Sequence, residues 1–227
     1  MSQSLSEQKT IYLHLGLHKT GTSFLQAQVF PKIEELDVKN KHKFIYDIST
    51  ESNKSKILFT EEDYSVSMPH KRHKFECTEA LVNFKKIYPD AKIIVGFRNK
   101  EDWLRSCYSQ YVFTFGGYLS FEKYLQKYEK DILNFEEYLQ EIRRLWTEVF
   151  VYQFEELKKN PDVLIKKLCD FMNCSVPEYE NKRYNISMNK NQIFFLRLIN
   201  RIFSVNGKMP GYKIVVWFLY RLRKPVT

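Results

Sequence analysis

Seven glycines and seven prolines in 227 residues are too few for a collagen-like, linker-rich or low-complexity chain. The four cysteines, Cys77, Cys107, Cys169 and Cys174, include no Cys-x-x-Cys pair and no histidine at ligand spacing. That excludes the common zinc frameworks and points to free thiols, which suit a reducing compartment. Long apolar runs are missing too: Ile214 to Tyr220 falls far short of the about 20 residues that a spanning helix needs. The opening residues, Met1 to Lys9, are polar, so no signal peptide is expected and a cytoplasmic, soluble protein is. Although the formal net charge is +9, no Lys/Arg tract is concentrated enough for a nucleic-acid arm. The charge attracts polyanions or anionic cofactors at long range, and by itself it does not separate nucleic acid from phosphorylated donors or acidic glycans.

Aromatics are abundant instead, with 15 Tyr and 18 Phe, most of them expected in the core. A hydrophobic share of 44% and a charged share of 28% are those of a globular protein. The length suits one domain over 1–227, with 1–9 as a leader and 185–227 as a helical C-terminal part. Ile11 to Leu15 reads as a short buried strand, followed by a glycine loop and a helix from Thr22 that stops at Pro31. Lys43–Tyr46, Lys56–Phe59, Ala91–Phe97 and Val149–Tyr152 read as further strands. Helical spacing covers Glu76–Tyr88, the segment through Trp103 and Tyr111, Phe121–Tyr128, Phe135–Leu145, Pro161–Met172, Gln192–Phe203 and Tyr212–Leu222. Strands alternating with helices predict an α/β, three-layer fold, its central and mainly parallel sheet flanked by helices. Ligands of such sheets bind beyond the carboxyl ends of the strands. That edge would collect Gly16–Ser23, Thr60–Asp63 and Arg98–Ser106.

Gly16-Leu17-His18-Lys19-Thr20-Gly21-Thr22-Ser23 keeps the glycine spacing of a Walker A loop. Its lysine, however, stands two positions before the second glycine rather than directly after it. Backbone N–H groups at a helix N-terminus, hydroxyls and one ammonium still suit an anion. The alternative is an ordinary glycine turn with a Thr/Ser cap. A second motif is Arg98 at the end of the Ala91–Phe97 strand, with Ser106 eight residues on. A strand-end arginine is a fixed fork for phosphate, and a hydroxyl about two helical turns later can reach the same oxygens. The alternative there is a surface ion pair of Arg98 with Glu101 or Asp102.

Together, in this order, the two motifs resemble the donor-binding segments of sulfotransferases that use 3′-phosphoadenosine 5′-phosphosulfate (PAPS), in particular bacterial carbohydrate-type members. The resemblance covers about residues 10 to 115. It implies a P-loop-like fold, PAPS as co-substrate, adenosine 3′,5′-bisphosphate as product and no metal requirement. It also implies a hydroxyl-bearing acceptor such as a glycan or glycolipid, with no nucleic acid as partner. Lys19 would offset charge on the bridging oxygen or leaving 5′-phosphate, and Thr20, Gly21, Thr22 and Ser23 would hold that phosphate. Arg98 and Ser106 would hold the 3′-phosphate.

A glutamate at a strand end serves as base in similar sulfotransferases, and Glu62 occupies that position in Thr60-Glu61-Glu62-Asp63-Tyr64-Ser65. Glu61 and His18 are the alternatives, and the acids could simply favour a helix start. No Arg-Lys-Gly-type loop is present, and Arg183 in Lys182–Ser187 is the candidate to replace it. The terminal segment with Trp217, Phe218 and Tyr220 could lie on a membrane, though core packing is the simpler reading. The rival function is a P-loop-like kinase or other nucleotide-dependent transferase.

Overall fold

Thr10–Leu15 forms strand β1 because its apolar residues are needed on both faces of a sheet. Leu13 and Leu15 face one side, and Tyr12 faces the other. The structure is a computed structural model that describes residues 9–40, 52–61, 68–70, 77–180 and 188–203. After β1, a three-residue α1 (Thr22–Phe24) runs into a π-helical turn, Leu25–Val29, and a 3-10 turn, Phe30–Lys32. The helix was expected to stop at Pro31; instead Pro31 lies inside the 3-10 turn, which runs on to Lys32.

The remaining elements follow in order: β2 (Leu36–Asn40), β3 (Lys56–Glu61), α2 (Cys77–Ile87), β4 (Lys92–Phe97), α3 (Lys100–Thr114), α4 (Phe121–Lys127) and α5 (Phe135–Leu145). Then come β5 (Val149–Gln153), α6 (Phe154–Lys159), α7 (Pro161–Met172) and α8 (Lys190–Phe203). The expected strand Lys43–Tyr46 and helix Tyr212–Leu222 lie outside the described residues. Strand β2 and helix α6 were not expected from the sequence.

Contacts divide the chain into two compact units, one of residues 1–67, 71–99 and 133–182, the other of 68–70, 100–132 and 183–227. The first contains a five-stranded sheet of order β2-β3-β1-β4-β5, parallel at each pairing. One face packs Ile57, Phe59, Ile93 and Val95 against α2 and α5, closed by Tyr138, Ile142 and Trp146. The opposite face packs Tyr12, Leu58 and Ile94 against the Leu25–Ile33 segment and α7. Each aliphatic side chain fully buried this way contributes about 1.5–3 kcal/mol. This is the α/β three-layer, P-loop-like arrangement.

Local signals fix the helices. Asn134 caps α5 by accepting from the Glu136 and Glu137 N–H groups, with Arg143 and Arg144 at the other end. Pro161 opens α7, and Asn173 at φ 51 closes it in the left-handed conformation. The second unit has a tyrosine-rich core: Tyr108, Tyr111 and Tyr124 gather around Val112 and Leu196. The buried Asn200 amide donates to the Val112 and Gly117 carbonyls, both at 2.8 Å.

Candidate active site at the carboxyl edge of the sheet

Strand β1 pairs with β3 on one side and β4 on the other, so the chain turns to opposite directions at this point in the sheet. Ligands of open parallel sheets bind outside the carboxyl ends at such a switch. The loop leaving β1 there is tightly wound. Lys19 has φ 68, a left-handed conformation that costs a side-chain-bearing residue about 1 kcal/mol. Gly21 has φ 90, and a Cβ there would lie 2.5 Å from Leu157 Cδ2 and 3.3 Å from Phe154 Cδ2. Glycine is required for both conformation and space.

The loop threonines turn inward. Thr20 and Thr22 are fully buried, and the Thr20 hydroxyl donates to the Leu17 carbonyl at 2.6 Å. Thr22 makes a longer bond, 3.5 Å, to the same oxygen. A hydroxyl has one hydrogen, so Thr20 commits its side-chain donor to bracing the loop. Phe24 and Leu25 N–H groups bond back to the Gly21 carbonyl at 3.0 and 3.2 Å. The earlier N–H groups of that helix therefore aim past Gly21, the geometry that favours anions.

Arg98 follows directly on β4. Its guanidinium lies 4.7 Å from the centre of the Phe154 ring, and Nη1 donates to the Lys19 carbonyl at 3.4 Å. Its Nε is buried and has no hydrogen-bond partner among the described residues. Glu101, one of the acids available for a surface ion pair, instead pairs with Arg105 at 2.6 Å. Helix α6 is the common support: Phe154 lies beneath Arg98, Leu157 abuts Gly21, and Glu155 accepts from the Asn99 N–H at 3.1 Å.

Beneath the loop lies a buried polar group that sequence reasoning missed. His14 is fully buried, with Nδ1 2.8 Å from Thr60 Oγ1 and Nε2 3.3 Å from the Tyr152 hydroxyl. Gln26 donates to Thr60 at 3.1 Å, so the His14 imidazole joins β1, β3 and β5, and the Thr60 hydroxyl adds the helical segment after the loop. Gly96 makes room for this: it pairs with Tyr152 across the sheet, and a Cβ would sit 2.2 Å from Tyr152 Cζ.

Other expected residues are distributed as follows. His18 is buried in the loop turn, and Ser23 is half-buried at the helix start. Glu61 pairs with Leu15 at the carboxyl end of β3, beside the loop entrance, while Glu62 and Arg183 lie outside the described residues. Ser106 is half-buried on α3, in the second unit. Among the described residues, no three His, Cys, Asp or Glu side chains are grouped to hold a metal.

Two solved structures share this fold. A sulfotransferase from Alicyclobacillus acidocaldarius superposes with a TM-score of 0.59 at 16% identity, covering 90% of this chain and 99% of its own. Mouse sulfotransferase SULT7A1, complexed with PAP, superposes with a TM-score of 0.51 at 16% identity, covering 85% of this chain and 65% of its own. No curated protein matches the sequence. The family model of the sulfotransferase domain matches residues 12–199, a span that starts within β1 and ends within α8. With most of its length inside that match, the chain belongs to the sulfotransferase domain family and is a sulfotransferase enzyme.

Proposed function

We propose that the enzyme transfers the sulfuryl group of PAPS to a hydroxyl of a carbohydrate acceptor, a glycan or glycolipid, in the cytoplasm. The observation that carries the donor assignment is the junction of Lys19 and Arg98. A lysine in a strained loop and a strand-end arginine meet through the Lys19 carbonyl. The buried Arg98 Nε, without a partner among the described residues, fits an anionic oxygen better than it fits solvent. One neighbour of the same fold is complexed with PAP, which supports a donor with that adenosine bisphosphate end. Together, the two compact units make one sulfotransferase domain in this reading.

The residues divide the work by charge and position. Backbone donors of Thr20, Gly21, Thr22 and Ser23 hold the 5′-phosphate, and the Lys19 ammonium offsets charge growing on its bridging oxygen. Arg98, with Ser106 and Arg183, holds the 3′-phosphate and so selects against donors without it. A base, Glu62 first and then Glu61 or His18, takes the acceptor proton. The acceptor oxygen bonds to sulfur as the bridging S–O bond breaks, and adenosine 3′,5′-bisphosphate leaves with the electron pair. The reading involves no metal.

Carbohydrate is favoured as acceptor by the net charge of +9 and by the half-exposed rings of Phe115 and Tyr118, which can stack on sugar faces. The free, buried thiol of Cys169 suits the cytoplasm. Among the described residues no helix is long and apolar enough to cross a membrane. Labelled PAPS offered with glycan, glycolipid, phenol and small-alcohol acceptors tests the assignment. Lys19→Ala should lower kcat by about a hundredfold or more, and near-normal transfer by that variant would refute the donor site. A Glu62→Gln enzyme with an unchanged pH–rate profile moves the base to Glu61 or His18.

A further inference from the structure

Helix α8 is amphipathic, yet one of its apolar faces is turned outward. Leu196 and Asn200 are buried in the second unit, with Ile193 packed beside them. On the other side Phe194, Leu198 and Ile202 follow one another at helical spacing of four, and Phe195 adjoins them at about 100°. All four are exposed, Phe195 by 63% and Ile202 by 71%. Single exposed apolar residues need no explanation, but a contiguous stripe of four marks an interaction surface.

Charge identifies the occupant. Lys190 and Arg201 are exposed and, by helical spacing, flank Phe194 on the edge of the stripe. The helix carries no Asp or Glu anywhere along KNQIFFLRLINRIF. A second copy docking by the same face would set these cations against their own kind, with no acid on the helix to meet them. An anionic lipid surface answers both features, taking the aromatic and aliphatic side chains into the acyl boundary and the cations at the headgroups. We propose that the outward face of α8, Phe194, Phe195, Leu198 and Ile202 with Lys190 and Arg201, docks the enzyme peripherally on an anionic phospholipid bilayer. This proposal does not depend on the identity of the donor.

The full chain is mixed with vesicles of phosphatidylcholine containing phosphatidylglycerol, or of phosphatidylcholine alone, and bound protein is separated by flotation. The expected result is binding to the anionic vesicles, weakened by salt. The exposed substitutions Phe195→Glu and Ile202→Asp together should cut that binding by at least about tenfold. Their melting temperature and far-ultraviolet circular dichroism should match the parent, since neither side chain is in the core. Failure of the parent to float with anionic vesicles would overturn the proposal. Undiminished flotation of the double variant would do so as well, since binding would then reside elsewhere in the chain. Equal flotation with both vesicle types would remove the role of the cations. A concentration-dependent dimer that the double variant abolishes, without any vesicle binding, would make a second copy the occupant.

Discussion

Where the strands of the sheet begin, lysines meet a carboxylate and backbone carbonyls; where they end, a lysine sits in a strained turn and an arginine has a buried nitrogen with no partner among the described residues. At the amino edge Lys92 meets Glu148 at 2.6 Å, Lys54 donates to the Leu36 carbonyl at 2.9 Å, and Lys56 donates to the Asn173 carbonyl. There Glu35 accepts both the N–H and the hydroxyl of Ser175, each at 2.7 Å. At the carboxyl edge Lys19 sits in a left-handed turn, and Arg98 has a buried nitrogen without a partner among the described residues. Buried polar groups are normally satisfied, and strain persists only where the surroundings impose it. In the proposed function, the amino edge stabilises the fold, with one Glu35 oxygen left unbonded among the described residues, and the carboxyl edge presents Arg98 to the donor.

The largest effect is expected from Lys19→Gly, which removes the ammonium and relieves the left-handed strain together. Sulfuryl transfer should fall by about a hundredfold or more, while unfolding free energy is retained or rises by up to about 1 kcal/mol. An inactive variant that is also markedly destabilised would mean that Lys19 serves the fold.

Gly96→Ala comes next. Its methyl would overlap the Tyr152 ring and disturb the hydroxyl that reaches His14, with an expected loss of about 1–3 kcal/mol in denaturant unfolding. A neutral result would show that the buried imidazole group tolerates displacement.

The smallest effect belongs to the amino edge. The bonds from the Ser175 side chain and backbone hold the Glu35 carboxyl down at about 2, from 4.5. The folded-state value is depressed, so the stabilisation is present above the ordinary carboxylate range and is lost as pH falls from 4.5 through about 2. Ser175→Ala should lower the melting temperature at neutral pH by less than about 4 °C. The gap from the parent should close across that acid window, with transfer activity unchanged. A gap that does not narrow on acidification would rule out the carboxylate as its source.

The carboxyl edge was more legible in the sequence than its supports. A short apolar run, a glycine loop and a helix start identified β1 and Gly16–Ser23, and Ala91–Phe97 ending in Arg98 identified β4. Strand β2 escaped because Leu-Asp-Val-Lys-Asn alternates too few apolar residues, and its charges, Asp37 and Lys39, pair with each other at 2.8 Å. Helix α6, six residues long, is too short for periodicity to declare it, yet it carries Phe154 and Leu157 against Arg98 and Gly21. His14 reads as a stray polar residue in an apolar strand; only the fold brings Thr60 and Tyr152 to its two nitrogens. The Thr20 hydroxyl was expected at a phosphate, and the fold commits it to the Leu17 carbonyl. The two units interleave three segments each, so no linker composition marks where one gives way to the other.

In the proposed function, the Lys19–Arg98 edge receives the adenosine bisphosphate end of the donor. The most direct measurement is the melting temperature of the full chain with adenosine 3′,5′-bisphosphate or with ATP and magnesium, for the parent and Arg98→Ala. A ligand that binds only the folded state at a hundred times its dissociation constant adds about 2.7 kcal/mol. The expected result is a rise of several degrees with the bisphosphate, little or none with ATP and magnesium, and loss of the rise in Arg98→Ala. Stabilisation by ATP and magnesium without any by the bisphosphate, or an undiminished rise in Arg98→Ala, would contradict it.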